Sequence, residues 1–187
     1  MHKILCFYLL AFLVLARSSI ASSTSSNSNP KDGEIFFSSD ILPLFEHGYQ
    51  LGAGLDFYPV RISFATSESQ RPELTKKNSA LNIESKTVGG QIDWIGKSSQ
   101  GPYLGLSFKR VRWVFKHKVT GAKLRRDADF LGARIGWRQY FWRGAFFDIM
   151  LGYNFNIEGQ HPVQVSGVQA EISEWDVYPN FQIGWGF

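Results

Sequence analysis

The sequence has one cysteine, Cys6, in 187 residues, and no apolar run of the roughly 20 residues that a membrane-spanning helix needs. Cys6 lies in the first apolar stretch, so a chain cleaved after that stretch would contain no disulfide bond. Beyond residue 30 no stretch shows the 3.6-residue apolar repeat of an amphipathic helix. The sequence also lacks a glycine-rich phosphate loop, a dinucleotide fingerprint and a Cys/His metal motif. We therefore expect no cofactor, no metal ion and no helical membrane domain.

The N-terminus has the layout of a secretory signal peptide. Lys3 precedes an apolar stretch at residues 4–16, and Ser19-Ile20-Ala21 supplies small residues for cleavage, which predicts a signal peptide over residues 1–21. An uncleaved membrane anchor is the alternative. Residues 22–32 are rich in serine and predict a flexible arm before a folded domain at 33–187. Loss of Lys3 and Arg17 lowers the formal charge from +4 to +2, so no nucleic-acid partner is expected.

Large apolar residues occupy every second position over most of the remaining chain, which is the period of a β-strand. Glycine, small polar and charged residues stand between them. The clear stretches are residues 51–57, 60–64, 88–94, 104–108, 131–137, 147–155 and 181–187. An eighth and weaker stretch lies near 34–40. The pattern predicts eight strands.

The connections between these strands alternate between short and long. Those near 58–60, 96–101 and 142–144 are tight, whereas 66–86, 116–129 and 157–174 are long and polar. An up-and-down meander with turns at one rim and loops at the other has this alternation. The predicted fold class is therefore all-β, an eight-stranded antiparallel up-and-down transmembrane β-barrel.

The two faces of the predicted strands differ in size and polarity. An eight-stranded barrel leaves an interior that side chains fill, so we expect the bulky apolar face outside and the glycine-rich, charged face inside. Enclosed charges must be paired, so the inward acids and bases predict an ion-pair network across the lumen. Around residues 108–111 the apolar alternation slips by one position, which predicts a β-bulge at Lys109 or Arg110. The predicted network comprises Asp56, Arg61, Asp93, Lys109, Arg134, Arg138 and Asp148.

The chain ends with FQIGWGF, in which Phe181, Ile183, Trp185 and Phe187 share one face. With the signal peptide and the strand pattern, this ending resembles the small outer-membrane β-barrels of Gram-negative bacteria, such as the OmpA membrane domain and OmpX. The resemblance implies an outer-membrane location, contact with membrane lipid and lipopolysaccharide, and a C-terminal signal read by the barrel-insertion machinery. Pro179 departs from the pattern, because proline cannot donate to a strand ladder. Aromatic residues near the strand ends predict interfacial girdles. They are Tyr103, Trp113, Tyr140, Trp142, Trp175, Tyr178 and Trp185.

The long connections suggest a surface function. The segment 116–129 carries a predicted basic loop that would attract lipopolysaccharide phosphates or an acidic host surface, or would be merely solvated. An adhesin or structural role is the main hypothesis, with an unidentified extracellular ligand as a possible partner. The alternatives are a narrow pore for very small solutes and a lipid A-modifying acyl hydrolase or transferase. For the latter, His47, His117 and His161 lie near Ser166, Asp127, Asp129 and Glu171, but no H-x-S pair occurs and no catalytic residue is assigned. The basic loop comprises Lys116, Lys118, Lys123, Arg125 and Arg126.

Overall fold

A computed structural model describes residues 34–41, 48–70, 80–96, 98–158 and 161–187. The predicted signal peptide and the predicted serine-rich arm lie outside these residues. The strands are β1 (Glu34–Asp40), β2 (Tyr49–Phe57), β3 (Val60–Gln70), β4 (Leu81–Trp94), β5 (Gly101–His117), β6 (Lys123–Trp142), β7 (Ala145–Asn156), β8 (His161–Val165), β9 (Val168–Ile172) and β10 (Trp175–Gly186). Among the described residues no helix is long and apolar enough to cross a bilayer.

Eight strands form a closed antiparallel barrel in the order β1-β10-β7-β6-β5-β4-β3-β2. The short β1 closes it by pairing with both β2 and β10, which confirms the eighth strand expected at 34–40. We call the rim that carries the turns β2–β3, β4–β5 and β6–β7 the lower end, and the opposite rim the upper end. The predicted fold class is confirmed.

The strands extend farther toward the upper end than the sequence pattern predicted. β5 continues to His117 and β6 begins at Lys123, so the loop expected at 116–129 is reduced to a turn. In the same way β3 and β4 occupy much of 66–86. The polar residues in these segments predict loops, but they lie on the outer face of barrel strands that continue beyond the membrane into water.

The middle of the barrel carries a continuous apolar belt on its outer face. Phe64, Ile92, Leu106 and Ile135 are between 49% and 67% exposed, although a soluble protein would bury such side chains. An exposed apolar surface of this extent is typical of contact with membrane lipid. The belt therefore marks the part of the barrel that lies in a bilayer.

The lumen contains more aromatic rings than the sequence pattern predicts. Tyr103, Tyr140 and Tyr178 point inward, and Trp113 is buried at the upper end, so the girdle prediction is wrong for these four residues. The other predicted members, Trp142, Trp175 and Trp185, are exposed. Glycines on neighbouring strands make the room. A Cβ at Gly136 would overlap the Tyr103 ring, and one at Gly152 would overlap Tyr178. The glycine-rich face is thus shaped around large side chains.

The predicted β-bulge at Lys109 or Arg110 is absent. β5 keeps an unbroken register with β4 and with β6 through both residues. Leu106 and Phe108 face outward, but Val111, Trp113 and Phe115 are buried inside. The apolar face changes side because the solvent outside the wall changes from lipid to water, which reverses the preferred direction of apolar side chains.

Above the belt, these inward residues belong to a hydrophobic core, which we call the upper core. β8 and β9 make a hairpin through a turn at Ser166 and Gly167, both with positive φ, and its apolar face packs on this core. The segment 157–174 was predicted to be a loop, although Val163, Val165, Ala170 and Ile172 alternate with polar residues. The core comprises Leu81, Ile83, Val111, Trp113, Phe115, Ala128, Phe130, Val163, Val165, Ala170 and Ile172.

Pro179 lies in β10, beyond the described part of its ladder with β1. On β10 the residues Phe181 and Phe187 bond to β1, so the odd-numbered residues of β10 face that neighbour. Pro179 lies beyond the last β1 partner in the described part of the chain. Its missing N–H therefore removes no bond from the β1–β10 ladder as far as the described residues extend.

Candidate functional site in the lumen and on the upper wall

Three arginine–aspartate pairs fill the lumen within the belt. Arg61 Nε and Nη2 donate to the Asp56 carboxylate at 2.6 and 3.0 Å. Arg134 Nε donates to Asp93 at 2.7 Å, and Arg138 Nε donates to Asp148 at 3.0 Å. The side chains of all six residues are at most 4% exposed. Each pair joins inward positions that the two-residue period placed on one face.

Aromatic rings hold the guanidinium planes of this network. The Arg138 guanidinium carbon lies 4.2 Å from the Phe36 ring centre and 3.9 Å from that of Phe146. Arg61 and Arg134 both lie 5.5 Å from the Tyr103 ring, whose hydroxyl donates to Asp148 at 2.6 Å. Cation–π contact and charge-assisted hydrogen bonds are both strengthened where water is excluded.

A fourth pair closes the lumen near the upper end of the belt. Lys109 Nζ donates to Asp176 at 2.9 Å and lies over the rings of Phe130 and Tyr178. Lys109 was in the predicted set, but Asp176 was not. Its two-residue spacing from Tyr178 and Asn180 was the available signal, because those positions also face inward.

The lower end of the lumen is covered by the turn between β4 and β5. The Ser99 carbonyl accepts a hydrogen bond from Arg61 Nη2 at 2.8 Å, and the Ser99 hydroxyl donates to Glu34 at 3.2 Å. Glu34 also accepts from Tyr140 at 2.9 Å, while Ile95 is buried. This turn therefore seals the barrel below the arginines, as the β8–β9 hairpin covers it above.

A small polar cavity remains beside the ion pairs. Its volume is about 10 Å³, and Ser63, Gln91, Arg134, Arg138 and Asp148 contribute to its lining. A space of this size holds about one water molecule. It is too small for a hydrated ion or an organic solute.

The outer face of the wall above the belt is densely charged. Arg110 donates twice to Asp129, both at 2.7 Å, and Arg112 donates twice to Asp127 at 2.9 and 3.0 Å. Hydrogen bonding to the arginines lowers the pKa of both aspartates. Because the folded-state pKa is lowered, this attraction is fully present above the ordinary carboxyl pKa and is lost only as the pH falls through the lowered value.

The residues of the predicted basic loop lie on strands and one turn. Lys116, Lys123 and Arg125 are on the outer face, where Lys116 is directly opposite Lys123 in the β5–β6 register. Lys118 lies in the turn, and Arg126 is exposed at the inner rim, opposite Trp113. In the described part of the chain no carboxylate forms an ion pair with any of these five residues, in contrast to Arg110 and Arg112 below them.

The candidate catalytic residues form no hydrolase-like arrangement among the described side chains. His117 Nδ1 accepts a hydrogen bond from the Thr120 backbone at 3.2 Å, and the Ser166 hydroxyl contacts that of Thr120 at 3.2 Å. Asp127 and Asp129 are held by arginines. His47 lies outside the described residues, as does the side chain of His161. The described residues also contain no group of side chains that could hold a metal ion.

The C-terminal residues line the outer face of the lower belt. Ile183, Trp185 and Phe187 are exposed, and Phe181 is half-buried with its ring stacked 6.3 Å from that of Phe147. Trp185 packs edge-on against Trp142, and Phe187 against Phe37. Their reading by an insertion machinery remains a prediction.

Comparison with known proteins supports the architecture. No protein-family model matches the sequence, and no curated protein is significantly similar to it. The structure of neisserial surface protein A aligns with a TM-score of 0.54 at 14% identity, over 83% of this chain and 96% of that one. A major outer membrane protein from Thermus thermophilus aligns with a TM-score of 0.55 at 8% identity, over 83% and 99%. At such identities the likeness establishes the fold, which is that of the small outer-membrane β-barrels.

Proposed function

We propose that this protein is an integral outer-membrane barrel that does not conduct solutes and has a structural or surface-binding role. The exposed apolar belt supports residence in a bilayer, because so large an apolar surface would cause aggregation in water. The fold shared with outer-membrane proteins supports the same location. With the lower end toward the periplasm, the hairpin and the charged wall project outside the cell.

The observation that carries the proposal is the filled lumen. Four cations are paired with four acids inside the barrel, in three pairs within the belt and the Lys109–Asp176 pair above them. The β4–β5 turn covers one end, and a hydrophobic core covers the other. A hydrated ion would have to separate buried ion pairs to pass, which costs several kcal/mol for each buried charge left without its partner. The filled lumen therefore favours a structural or surface-binding role over a pore.

Planar-bilayer recording tests this proposal. The purified mature barrel, inserted in a phospholipid bilayer, is expected to give no discrete conductance steps, while an open porin in the same lipid gives large ones. Folding of the sample is verified by a shift in gel mobility between unheated and heated protein. Regular conductance steps from the folded protein would refute a closed lumen.

The role at the cell surface is proposed to reside in the wall above the belt. Its cations are clustered on β5 and β6, whereas Glu158, Glu171 and Glu174 are exposed near the hairpin. Clustered cations attract polyanions and accelerate their encounter. No arrangement of the described side chains favours lipid A chemistry, so a binding role is preferred to an enzymatic one.

A further inference from the structure

We propose that Lys116, Lys118, Lys123 and Arg125, here called the upper cationic cluster, bind a sulfated polysaccharide that approaches from outside the cell. The inference rests on the proposed function, because it requires that the upper end faces outward. It goes further by naming the residues, the class of ligand and the side from which the ligand comes. All four side chains are exposed on the outer face or turn of the β5–β6 pair.

The first argument is that the positive charge of this cluster is not balanced by ion pairs among the described residues. Arg110 and Arg112 lie lower on the same face, and each donates two hydrogen bonds to an aspartate. Among the described residues, no carboxylate forms an ion pair with a member of the upper cationic cluster. Asp127 lies two residues from Arg125 on the same face but pairs with Arg112, and Glu84, opposite Val114, forms no ion pair with these cations in that part of the chain. The lower cations are neutralised by these aspartates, whereas the upper ones have no ion-pair partner among the described residues.

The second argument is the opposed pair of lysines. Lys116 and Lys123 are direct partners across the β5–β6 ladder. Like charges at directly opposite positions destabilise a strand pair. A polyanion bound across both ammonium groups would convert this repulsion into attraction. The pair thus indicates a surface whose local stability increases when a multivalent anion binds.

The third argument is height above the membrane, and it separates two sources of anions. Lys116 lies eight residues beyond Phe108, the last outward apolar residue before the charged part of β5. At about 3.4 Å per residue and a tilt of about 40°, this places it roughly 20 Å above the belt. The headgroup layer of a bilayer is only about 5–8 Å thick on each side. Lipid headgroup phosphates are therefore too low, whereas a chain-like polyanion above the membrane reaches this height. The lipopolysaccharide measurement below distinguishes a polysaccharide from outside from the sugar-borne phosphates of lipopolysaccharide.

Heparin serves as the probe for the experiment. The folded barrel, in phospholipid nanodiscs without lipopolysaccharide, is expected to bind heparin with an affinity that falls steeply with salt. The Lys116→Gln/Lys123→Gln/Arg125→Gln variant is expected to bind roughly tenfold or more weakly and with a smaller salt slope, since fewer counterions are released. Unsulfated hyaluronan is expected to bind far more weakly than heparin to the original protein.

Two controls separate a local site from the overall charge. Arg110→Gln/Asp129→Asn leaves the net charge unchanged and is expected to alter heparin affinity by less than about twofold, because its cation is already neutralised. Gln164→Glu on the hairpin changes the net charge by the same amount as Lys123→Gln. It is expected to have the smaller effect, since it lies outside the upper cationic cluster.

Three outcomes would overturn the inference. They are no heparin binding by the folded protein at low salt, equal losses for Lys123→Gln and Gln164→Glu, and binding of purified lipopolysaccharide through these residues with no binding of heparin. The gel-mobility shift verifies that each variant is folded. The conductance measurement is independent, so a silent bilayer with no heparin binding would reject this site and leave the closed barrel standing.

Discussion

At the residue scale, the lumen depends on charges that cannot reach water. Asp93→Asn leaves the Arg134 guanidinium buried without its counter-ion, and we expect a loss of about 3–5 kcal/mol in the free energy of unfolding. Asp127→Asn breaks an exposed pair and should cost at most about 1 kcal/mol. Urea titration of the refolded barrels, followed by tryptophan fluorescence, measures both values.

The double variant Asp93→Asn/Arg134→Met completes this comparison. It removes the orphaned charge, so it is expected to recover most of the stability lost in Asp93→Asn. If Asp93→Asn is no worse than Asp127→Asn, the lumen is hydrated enough to screen its charges, contrary to our description.

A second residue-scale prediction concerns the glycines that accommodate lumen rings. A Cβ at Gly136 would overlap Tyr103, so Gly136→Ala is expected to lower the free energy of unfolding by about 1–3 kcal/mol. Gly90→Ala is the matched control on the outer face, where the nearest atom to a new Cβ is 3.4 Å away on the Phe64 ring. We expect it to change stability by less than about 0.5 kcal/mol. Equal effects in urea titration would show that the ring moves aside at little cost.

At the element scale, the β8–β9 hairpin depends on its inward apolar residues. Val165 is buried in the upper core, so Val165→Asp places a carboxylate there and is expected to release the hairpin. Cells expressing this variant should show cleavage within residues 159–173 by external protease at least about tenfold faster than the original protein, because local opening controls proteolysis.

Gln164→Asp is the matched control for this experiment. Gln164 is adjacent in sequence and exposed, so the same carboxylate there should leave the cleavage rate nearly unchanged. Equally fast cleavage of both variants would mean that the hairpin does not depend on the core beneath it.

The elements also show what the sequence could and could not predict. Alternation identified seven of the eight barrel strands clearly and the eighth, at 34–40, only weakly, and it placed Asp56, Arg61 and Arg134 on the inward face. It could not pair Arg134 with Asp93, because they are 41 residues apart and meet over Gly105 only when β4, β5 and β6 have paired in this register. β8 and β9 were missed because each has only five residues and lies within a polar segment.

At the scale of the whole molecule, the solvent outside the wall decides how a pattern is interpreted. Period two tells which residues share a face, but not whether that face meets lipid, water or the lumen. The change at residues 108–111 suggested a bulge because the outer solvent was assumed to be the same along the strand. Once the strands extend beyond the belt, Leu106 facing out and Trp113 facing in follow from one preference for apolar surroundings.

The upper core has a consequence for secretion. The members of the upper core that lie on barrel strands end at Phe130. Its last four members, from Val163 to Ile172, lie in the β8–β9 hairpin that precedes β10. In the orientation proposed here, all of them must cross the bilayer before they can meet. Once these residues have packed together outside the cell, moving the hairpin back through the membrane would require exposing them again. Formation of the core would therefore make export of the hairpin effectively one-way, without an external energy source.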